Sequence, residues 1–338
     1  MKKTVLSFNI PTYNRASYLK KNIEQIIAQI RLFKLQSDVE INISDNASTD
    51  DTEAVCKRLI DNNSDIEIGY NRNERNLGPD INYIKTMFMA HGDYSILWGD
   101  DDFLKKDALK YILDEIQNSN CGFFISNRTN IDGQGNYLDE QNFIDSRIET
   151  RIFDFSNIDQ GRLYLALCVS LGGCFTFISS IIYRTSILNE IGTYDERFTG
   201  TFYSFYWYWW QWILKGNKIK YLNTSYLLCT TKGKANSGTF GIGLDRMLVD
   251  FEGFLTTADV LFANTPYYQD FLNVVLREYP LESLLMQHFK EPMKFKNKMI
   301  PLLYKYGYDD KKKDQLMELG SITRNLKNIV LAIVNHNK

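Results

Sequence analysis

The sequence is poor in the residues that zinc, disulfide or nucleophile–histidine chemistry requires. It has three histidines and five cysteines (Cys56, Cys121, Cys168, Cys174, Cys229), with no C-x-x-C pair. An odd cysteine count without zinc-site spacing reads as reduced thiols in a cytosolic protein. His91, His288 and His336 have no neighbours that complete a Ser-His-Asp or Cys-His arrangement. Surplus charge is lacking too: 39 Lys and Arg against 41 Asp and Glu leave −2, which points away from nucleic acid. A targeting segment is not evident, since the apolar stretch from Val5 to Ile10 is broken by Ser7 and Asn9 and no small-residue cleavage site follows. Residues 165–183 lack charge over nineteen positions, near spanning length, but Gly172-Gly173 splits them. They read as a buried helix end, a tight turn and a buried strand, with a membrane span as the alternative.

What is present is the composition of an ordered globular protein, 44% hydrophobic and 24% charged. At 338 residues the chain is long for one core, so one large domain with an appendage, or two domains, is expected. The first 126 residues alternate strand-like and helix-like patterns. Val5 to Ile10 is a compact apolar run ended by Pro11, and Leu19, Ile23, Ile26, Ile27 and Ile30 share one helix face. Val39, Ile41 and Ile43 alternate with polar residues as a strand does. Ser48 and Asp51 resemble a capping box ahead of a helix carrying Val55, Leu59 and Ile60. Strands over 66–68, 94–98 and 122–126, a helix through Ile81, Ile84 and Phe88, and a helix to Gln117 complete the pattern. Such alternation predicts an α/β fold with a doubly wound, mostly parallel sheet. Residues 127–160 turn irregular and polar, as a long connection or flap. Beyond Gly243 the periodicity is helical.

In a doubly wound sheet, ligands bind beyond the carboxyl ends of the strands. The polar clusters fall there: "PTYNR" after the first strand, "SDNASTDD" after the second and "GDDD" after the fourth. Asp100, Asp101 and Asp102 are three adjacent carboxylates after a buried strand. They suit a hard divalent cation, Mg²⁺ or Mn²⁺, which would bridge carboxylates to substrate phosphates. The plainer alternative is an acid-decorated N-terminus of a helix over 103–117. Asp45, at the end of the second strand, suits a nucleobase or ribose; its alternative is a turn-forming Asp bonded to its own backbone.

In their order and spacing, "PTYNR", "SDNASTDDT", "RNERNLGPDIN" and "GDYSILWGDDD" resemble family 2 glycosyltransferases of the GT-A fold. The likeness is close over about the first 110 residues and looser to about 230, through "GGCFTFISSIIYR" and "IGTYDERF". The resemblance implies that Pro11, Thr12, Tyr13 and Arg15 line the nucleotide pocket and that Asp45 holds the base. It places Asn76 and Gly78 in a loop beside the nucleotide. It implies that Asp100 contacts the ribose side, Asp101 holds the metal, and Asp102 holds metal or a donor-sugar hydroxyl. It further implies a nucleotide-sugar donor, a saccharide or lipid-linked saccharide acceptor, inversion at the anomeric carbon, and a role in bacterial surface polysaccharide synthesis.

Two departures stand out. The Glu-Asp pair that usually follows the "FDE"-like segment, and supplies the general base, is missing: no acid lies between Phe198 and Lys215. Asp195 and Glu196 are the local candidates, Asp195 the one carried forward as catalytic, with a polar turn as the alternative. In place of the acids stand Trp207, Trp209, Trp210 and Trp212, read either as a sugar- or lipid-stacking surface or as a buried helix. Where an Arg or His would close over the diphosphate, the chain offers Lys232 and Lys234. The expected organisation is therefore a GT-A-like catalytic domain over 1–240 and a helical region over 241–338. The stripe Ile322, Leu326, Ile329, Val330, Ile333 and Val334 in its basic tail packs on the protein or contacts a membrane surface. A nucleotidyltransferase or a noncatalytic sugar-nucleotide-binding protein remains the competing function.

Overall fold

The structure is a computed structural model, and it describes residues 4–231 and 243–319. It divides into two compact units between residues 236 and 237. In the first, strand β1 (Leu6–Thr12) leads through helix α1 (Ala16–Leu32) to β2 (Val39–Asp45). Helix α2 (Thr52–Asp61) then leads to β3 (Ile68–Arg72). All three strands are parallel neighbours. Helix α3 (Pro79–Met87) returns the chain to β4 (Tyr94–Leu97), which pairs in parallel on the other side of β1. The strand order therefore reverses at β1, and the crevice at such a reversal is where a doubly wound sheet binds ligands.

After β4 come the short β5 (Asp102–Leu104), α4 (Ala108–Gln117), β6 (Phe123–Ser126), β7 (Arg128–Ile131), β8 (Tyr137–Gln141) and β9 (Arg151–Asp154). Then follow α5 (Ile158–Leu167), β10 (Ile181–Arg184), α6 (Ile187–Ile191), α7 (Tyr206–Leu214), β11 (Lys218–Leu222) and β12 (Leu227–Thr230). The large sheet has eight strands in the order β3-β2-β1-β4-β10-β6-β11-β9, and β5-β12-β7-β8 form a second sheet of four. Only β10 and β9 run antiparallel within the large sheet.

One core lies beneath α1, α2 and α4. Leu6, Phe8, Ile10, Ile41 and Ile43 from the strands meet Leu19, Ile23, Ile26, Val55, Leu59, Leu109 and Ile112 there. The polar alternates of the same strands, Ser7, Asn9, Glu40, Asn42 and Ser44, are also buried. They face α3, because a right-handed return crossover puts that helix on the opposite face, and the Ser44 hydroxyl donates to Asn82 of α3 at 2.8 Å. Glu40 is satisfied there by the Ser7 hydroxyl at 2.6 Å and the His91 N–H at 2.6 Å.

Several expectations change. The first strand runs through Pro11 to Thr12, which is tolerated because β4 pairs with β1 only as far as Asn9. The third strand lies at 68–72, and Asp51 caps α2 without a side-chain bond, so the capping box is not formed. No helix begins at 103: β5 intervenes and α4 starts at 108, so the acid triplet is not a helix N-terminus. The stretch 127–160 is no flap, since β7 and β8 build the second sheet. Residues 165–183 contain the end of α5, two short 3₁₀ turns and β10. Among the described residues no helix is long and apolar enough to cross a membrane. The tryptophan-rich helix is α7, and Trp209, Trp210 and Trp212 are core. Trp209 packs 5.8 Å from Phe123 and 5.4 Å from Tyr183, and Trp210 packs 4.7 Å from Phe175.

The second unit is helical. Helices α8 (Gly243–Thr257), α9 (Tyr268–Glu278) and α10 (Leu281–Lys290) precede a further helical run to Lys305. Phe271 stacks on Phe254 at 4.9 Å and on Phe262 at 4.3 Å. Lys232, Lys234 and the stripe from Ile322 to Val334 lie outside the described residues.

Candidate functional site

The loop after β4 carries the acid triplet, and three elements shape it. Gly99 donates its N–H to the Ser179 hydroxyl at 2.8 Å, and that hydroxyl donates to Asp102 Oδ2 at 2.6 Å. A Cβ on Gly99 would stand 2.6 Å from Asp102 Oδ2, so only glycine allows the turn to close this tightly. From α1, the Asn22 amide donates to the carbonyl oxygens of Gly99 (2.9 Å) and Asp102. The turn is therefore gripped from both sides before any ligand is considered.

Asp100 and Asp101 turn toward the loop after β1. The Thr12 hydroxyl donates to Asp100 Oδ2 at 2.8 Å. Arg15 Nε lies 3.0 Å from Asp100 Oδ1, and a terminal nitrogen of the same guanidinium bonds Asp101. The Arg15 guanidinium also stacks on Tyr18, 4.9 Å from the ring centre. Burial pushes the Asp100 carboxyl up to about 7; the Arg15 charge opposes the rise and Asp101 adds to it. Two adjacent carboxylates are thus held against one cation at the point where the strand order reverses.

Asp45 ends β2 and is fully buried. Its Oδ1 accepts the Ser48 N–H at 2.8 Å, which is the backbone-turn arrangement, and its Oδ2 accepts the Tyr70 hydroxyl at 2.9 Å. Arg72 Nε stands 3.6 Å from Oδ2. Burial and this carboxylate raise the Tyr70 pKa. The first two loops interlock: Asn14 N–H donates to Ser48 Oγ at 2.8 Å, and Thr49 N–H donates to Asn14 Oδ1 at 2.7 Å. Asn14 is in the left-handed region, with φ +54°. Tyr13, 42% exposed, and the buried Pro11 flank the pair Thr12–Arg15.

The third loop is held by amides. Asn46 donates to Asn76 Oδ1 at 2.8 Å and to the Gly78 carbonyl at 3.1 Å, and its Oδ1 accepts the Leu77 N–H at 2.9 Å. Asn73 donates to Asn46 at 3.1 Å and to Asn82 at 3.0 Å. Gly78, at φ +80°, makes the turn that Pro79 converts into α3. Pro11, Thr12, Tyr13, Arg15, Asp45, Asn76, Gly78 and Asp100–Asp102 therefore share the carboxyl edge of β1–β4. Sequence reasoning passed over Asn46, Asn73 and Ser179. The density of asparagine in "SDNAS" and "NRNERN" was the available signal for the first two; nothing local marks Ser179.

Asp195 is placed differently. It caps a 3₁₀ turn at 196–198, accepts the Arg197 N–H at 2.9 Å and pairs with the Arg197 guanidinium at 2.6 Å. The Arg197 bond holds its carboxyl below the usual range. That is the polar-turn arrangement.

The matching family model is "Glycosyl transferase family 2", over residues 7–185. Abequosyltransferase RfbV of Salmonella typhimurium is 32% identical over 288 residues, covering 82% of this chain and 81% of that one. A Campylobacter jejuni GalNAc(5)-diNAcBac-PP-undecaprenol beta-1,3-glucosyltransferase is 35% identical over 118 residues, 35% of each chain. Among solved structures, S. aureus TarS in complex with UDP superposes with a TM-score of 0.58 at 18% identity, covering 82% of this chain and 72% of that one. The mannosyltransferase PcManGT of Pyrobaculum calidifontis, in complex with GDP-Man and Mn²⁺, gives 0.51 at 13% identity, covering 97% and 88%. At these identities the two structures establish the GT-A fold.

Proposed function

This chain belongs to glycosyl transferase family 2 and is an enzyme that transfers sugars; on that premise we propose that it moves a glycosyl group from a nucleoside-diphosphate sugar to a saccharide hydroxyl, with a divalent cation and with inversion. The observation that carries this reading is the Thr12–Asp100–Arg15–Asp101 cluster at the reversal of strand order. Asp45, Tyr70 and the loop through Asn76 and Gly78 wall the nucleoside side. Asp102, steadied by Ser179, lies on the sugar side.

The carboxylate oxygens fit Mg²⁺ or Mn²⁺ in chemical type. Among the described residues no three His, Cys, Asp or Glu side chains converge as a ready cage. A cation there would take one or two carboxylates and complete its shell with substrate phosphates and water. Asp101 and Asp102 are the residues that would hold it. Bound there, the cation would neutralise the departing diphosphate. Arg15 already sits on Asp100 and Asp101, so it is positioned to keep the acids paired without donor and to face phosphate with it.

Inversion needs a base for the acceptor proton on the face opposite the leaving nucleotide. Asp195, paired with Arg197 and held low, is a weak base in this conformation. A lipid-linked saccharide acceptor is part of the proposal, supported by the C. jejuni relative, whose name gives a saccharide carried on PP-undecaprenol; surface polysaccharide synthesis is proposed with it. We propose acceptor or membrane contact for the helical second unit from the basic amphipathic pattern of its tail.

Calorimetric titration of UDP, GDP, CDP and dTDP, with and without Mn²⁺, tests the reading. Binding of one nucleotide that depends on manganese is expected. Failure of all four to bind would overturn it, and release of pyrophosphate in place of nucleoside diphosphate on turnover would indicate nucleotidyl transfer.

A further inference from the structure

Arg15 shares its guanidinium between two carboxylates, and the manner of sharing is informative. One terminal nitrogen hydrogen-bonds Asp101 Oδ2, and Nε stands 3.0 Å from Asp100 Oδ1. Nε is buried and makes no hydrogen bond, so its contact with Asp100 is one of charge alone. The other oxygen of Asp100, Oδ2, takes the Thr12 hydroxyl. Arg15 is therefore not in the two-pronged fork that a guanidinium forms with a single carboxylate or phosphate, the arrangement that makes such pairs strong. A buried N–H without an acceptor costs free energy, and an oxyanion would supply the acceptor.

The surroundings favour an anion at this point. Arg15 is the N-cap residue of α1, whose first turn carries no acidic side chain. The positive end of that helix is answered only by Asp50, which accepts the Ala16 N–H at 3.1 Å. The ring of Tyr18, 4.9 Å from the guanidinium carbon, supports Arg15 from the side of α1. The Arg15 side chain is 22% exposed and that of Asp101 17%, so a solute can reach the pair.

Asp101 is also the carboxylate assigned above to the divalent cation. Arg15 bonded to Asp101 Oδ2 takes up lone pairs that a cation would need, and it adds a like charge a few ångströms away. The two positive groups oppose each other unless Arg15 has another anion to turn to.

We propose that Arg15 is a built-in counter-cation that competes with the divalent cation for Asp101, and that the donor diphosphate draws it off, so that cation and nucleotide enter as a pair. This rests on the glycosyl-transfer reading above. A diphosphate offers Arg15 the fork that it lacks and an acceptor for the Nε N–H, and Arg15 then gives up the Asp101 oxygen. Such coupling is reciprocal: nucleotide tightens the cation by the factor with which the cation tightens nucleotide.

The test measures Mn²⁺ binding to the full chain by electron paramagnetic resonance of the free aquo ion, alone and with whichever of the four nucleotides binds. Arg15→Gln should bind Mn²⁺ alone at least about tenfold tighter than wild type, and the tightening that nucleotide brings should shrink by a similar factor. Arg15→Lys keeps the charge without the span to both carboxylates and should fall between. Damage to the fold can only weaken binding, so a gain separates competition from a structural role. Mn²⁺ affinity in Arg15→Gln equal to or below that of wild type overturns the inference, while manganese-dependent nucleotide binding by wild type would leave the transfer reading standing. Failure of every nucleotide to bind removes that reading, and the inference with it. Should Arg15→Gln not melt cooperatively, Arg15→Lys decides alone: Mn²⁺ bound tighter than by wild type supports the competition, and equal affinity overturns it.

Discussion

Arg15 and Asp100 form the central pair of the crevice: the guanidinium Nε lies 3.0 Å from Asp100 Oδ1, and the same guanidinium also bonds Asp101. The acids come from the loop after β4 and the cation from the loop after β1, so the pair bridges the point where the sheet changes direction. Three successive aspartates are tolerable in a half-buried turn because this positive partner, Thr12 and Ser179 answer them individually.

Asp101 bears on metal-dependent donor binding. Asp101→Ala is expected to weaken manganese-dependent nucleotide binding at least about tenfold, or about 1.4 kcal/mol, with the melting transition still cooperative. Titration calorimetry in Mn²⁺ and in EDTA reads this directly. Unchanged affinity would move the metal site elsewhere.

The Asp100 carboxyl gives a pH signature in the metal-free protein. Its folded pKa of about 7 lies above the value of about 4 expected when unfolded, so its contribution is fully present below pH 4. It is lost as pH rises toward and through 7, because the unfolded chain then releases the proton more readily. Relative to Asp100→Asn, wild type should lose about 2–4 kcal/mol between pH 4 and 8 in EDTA. Urea melts of both proteins at several pH values would show the widening gap; parallel curves would mean that Asp100 ionises normally.

Gly99 tests how tightly the turn must close. Gly99→Ala would push its Cβ against Asp102 Oδ2 and crowd Ser179 Oγ, 3.3 Å from that position. A destabilisation of about 1–3 kcal/mol is expected, together with weaker nucleotide binding. A variant with wild-type stability and affinity would show that Asp102 can swing away freely.

Asp195 separates a turn-former from a base. With its carboxylate occupied by Arg197, Asp195→Asn should keep turnover within about tenfold of wild type, whereas losing a general base costs about 10²–10⁴-fold. Steady-state kinetics with the identified donor decide it. A drop of the larger size would restore Asp195 as the base.

The order of strands and helices to residue 126 was legible in the sequence, because hydrophobic periodicity is a local property. Leu19 to Ile30 can bury only one helix face, and Leu6, Phe8 and Ile10 can pack together only from one side of a strand. The placement of "PTYNR", "SDNAS" and "GDDD" on one edge followed from that alternation alone. What periodicity could not report is what covers each face. Glu40, Asn42 and Ser44 look like solvent positions, and they are buried because α3 crosses above them with Asn82 and its own polar groups. The aromatic run from Tyr206 to Trp212 looks like a candidate ligand surface, and β6 and β10 help make its aromatic residues core, except for the half-buried Trp207. The Arg15–Asp101 bond, the Ser179–Asp102 bond and the Asp80–Gly200 bond join positions dozens to over a hundred residues apart. Each exists only because strand pairing brings distant loops to a common edge, and no local pattern encodes which partner a carboxylate will find there.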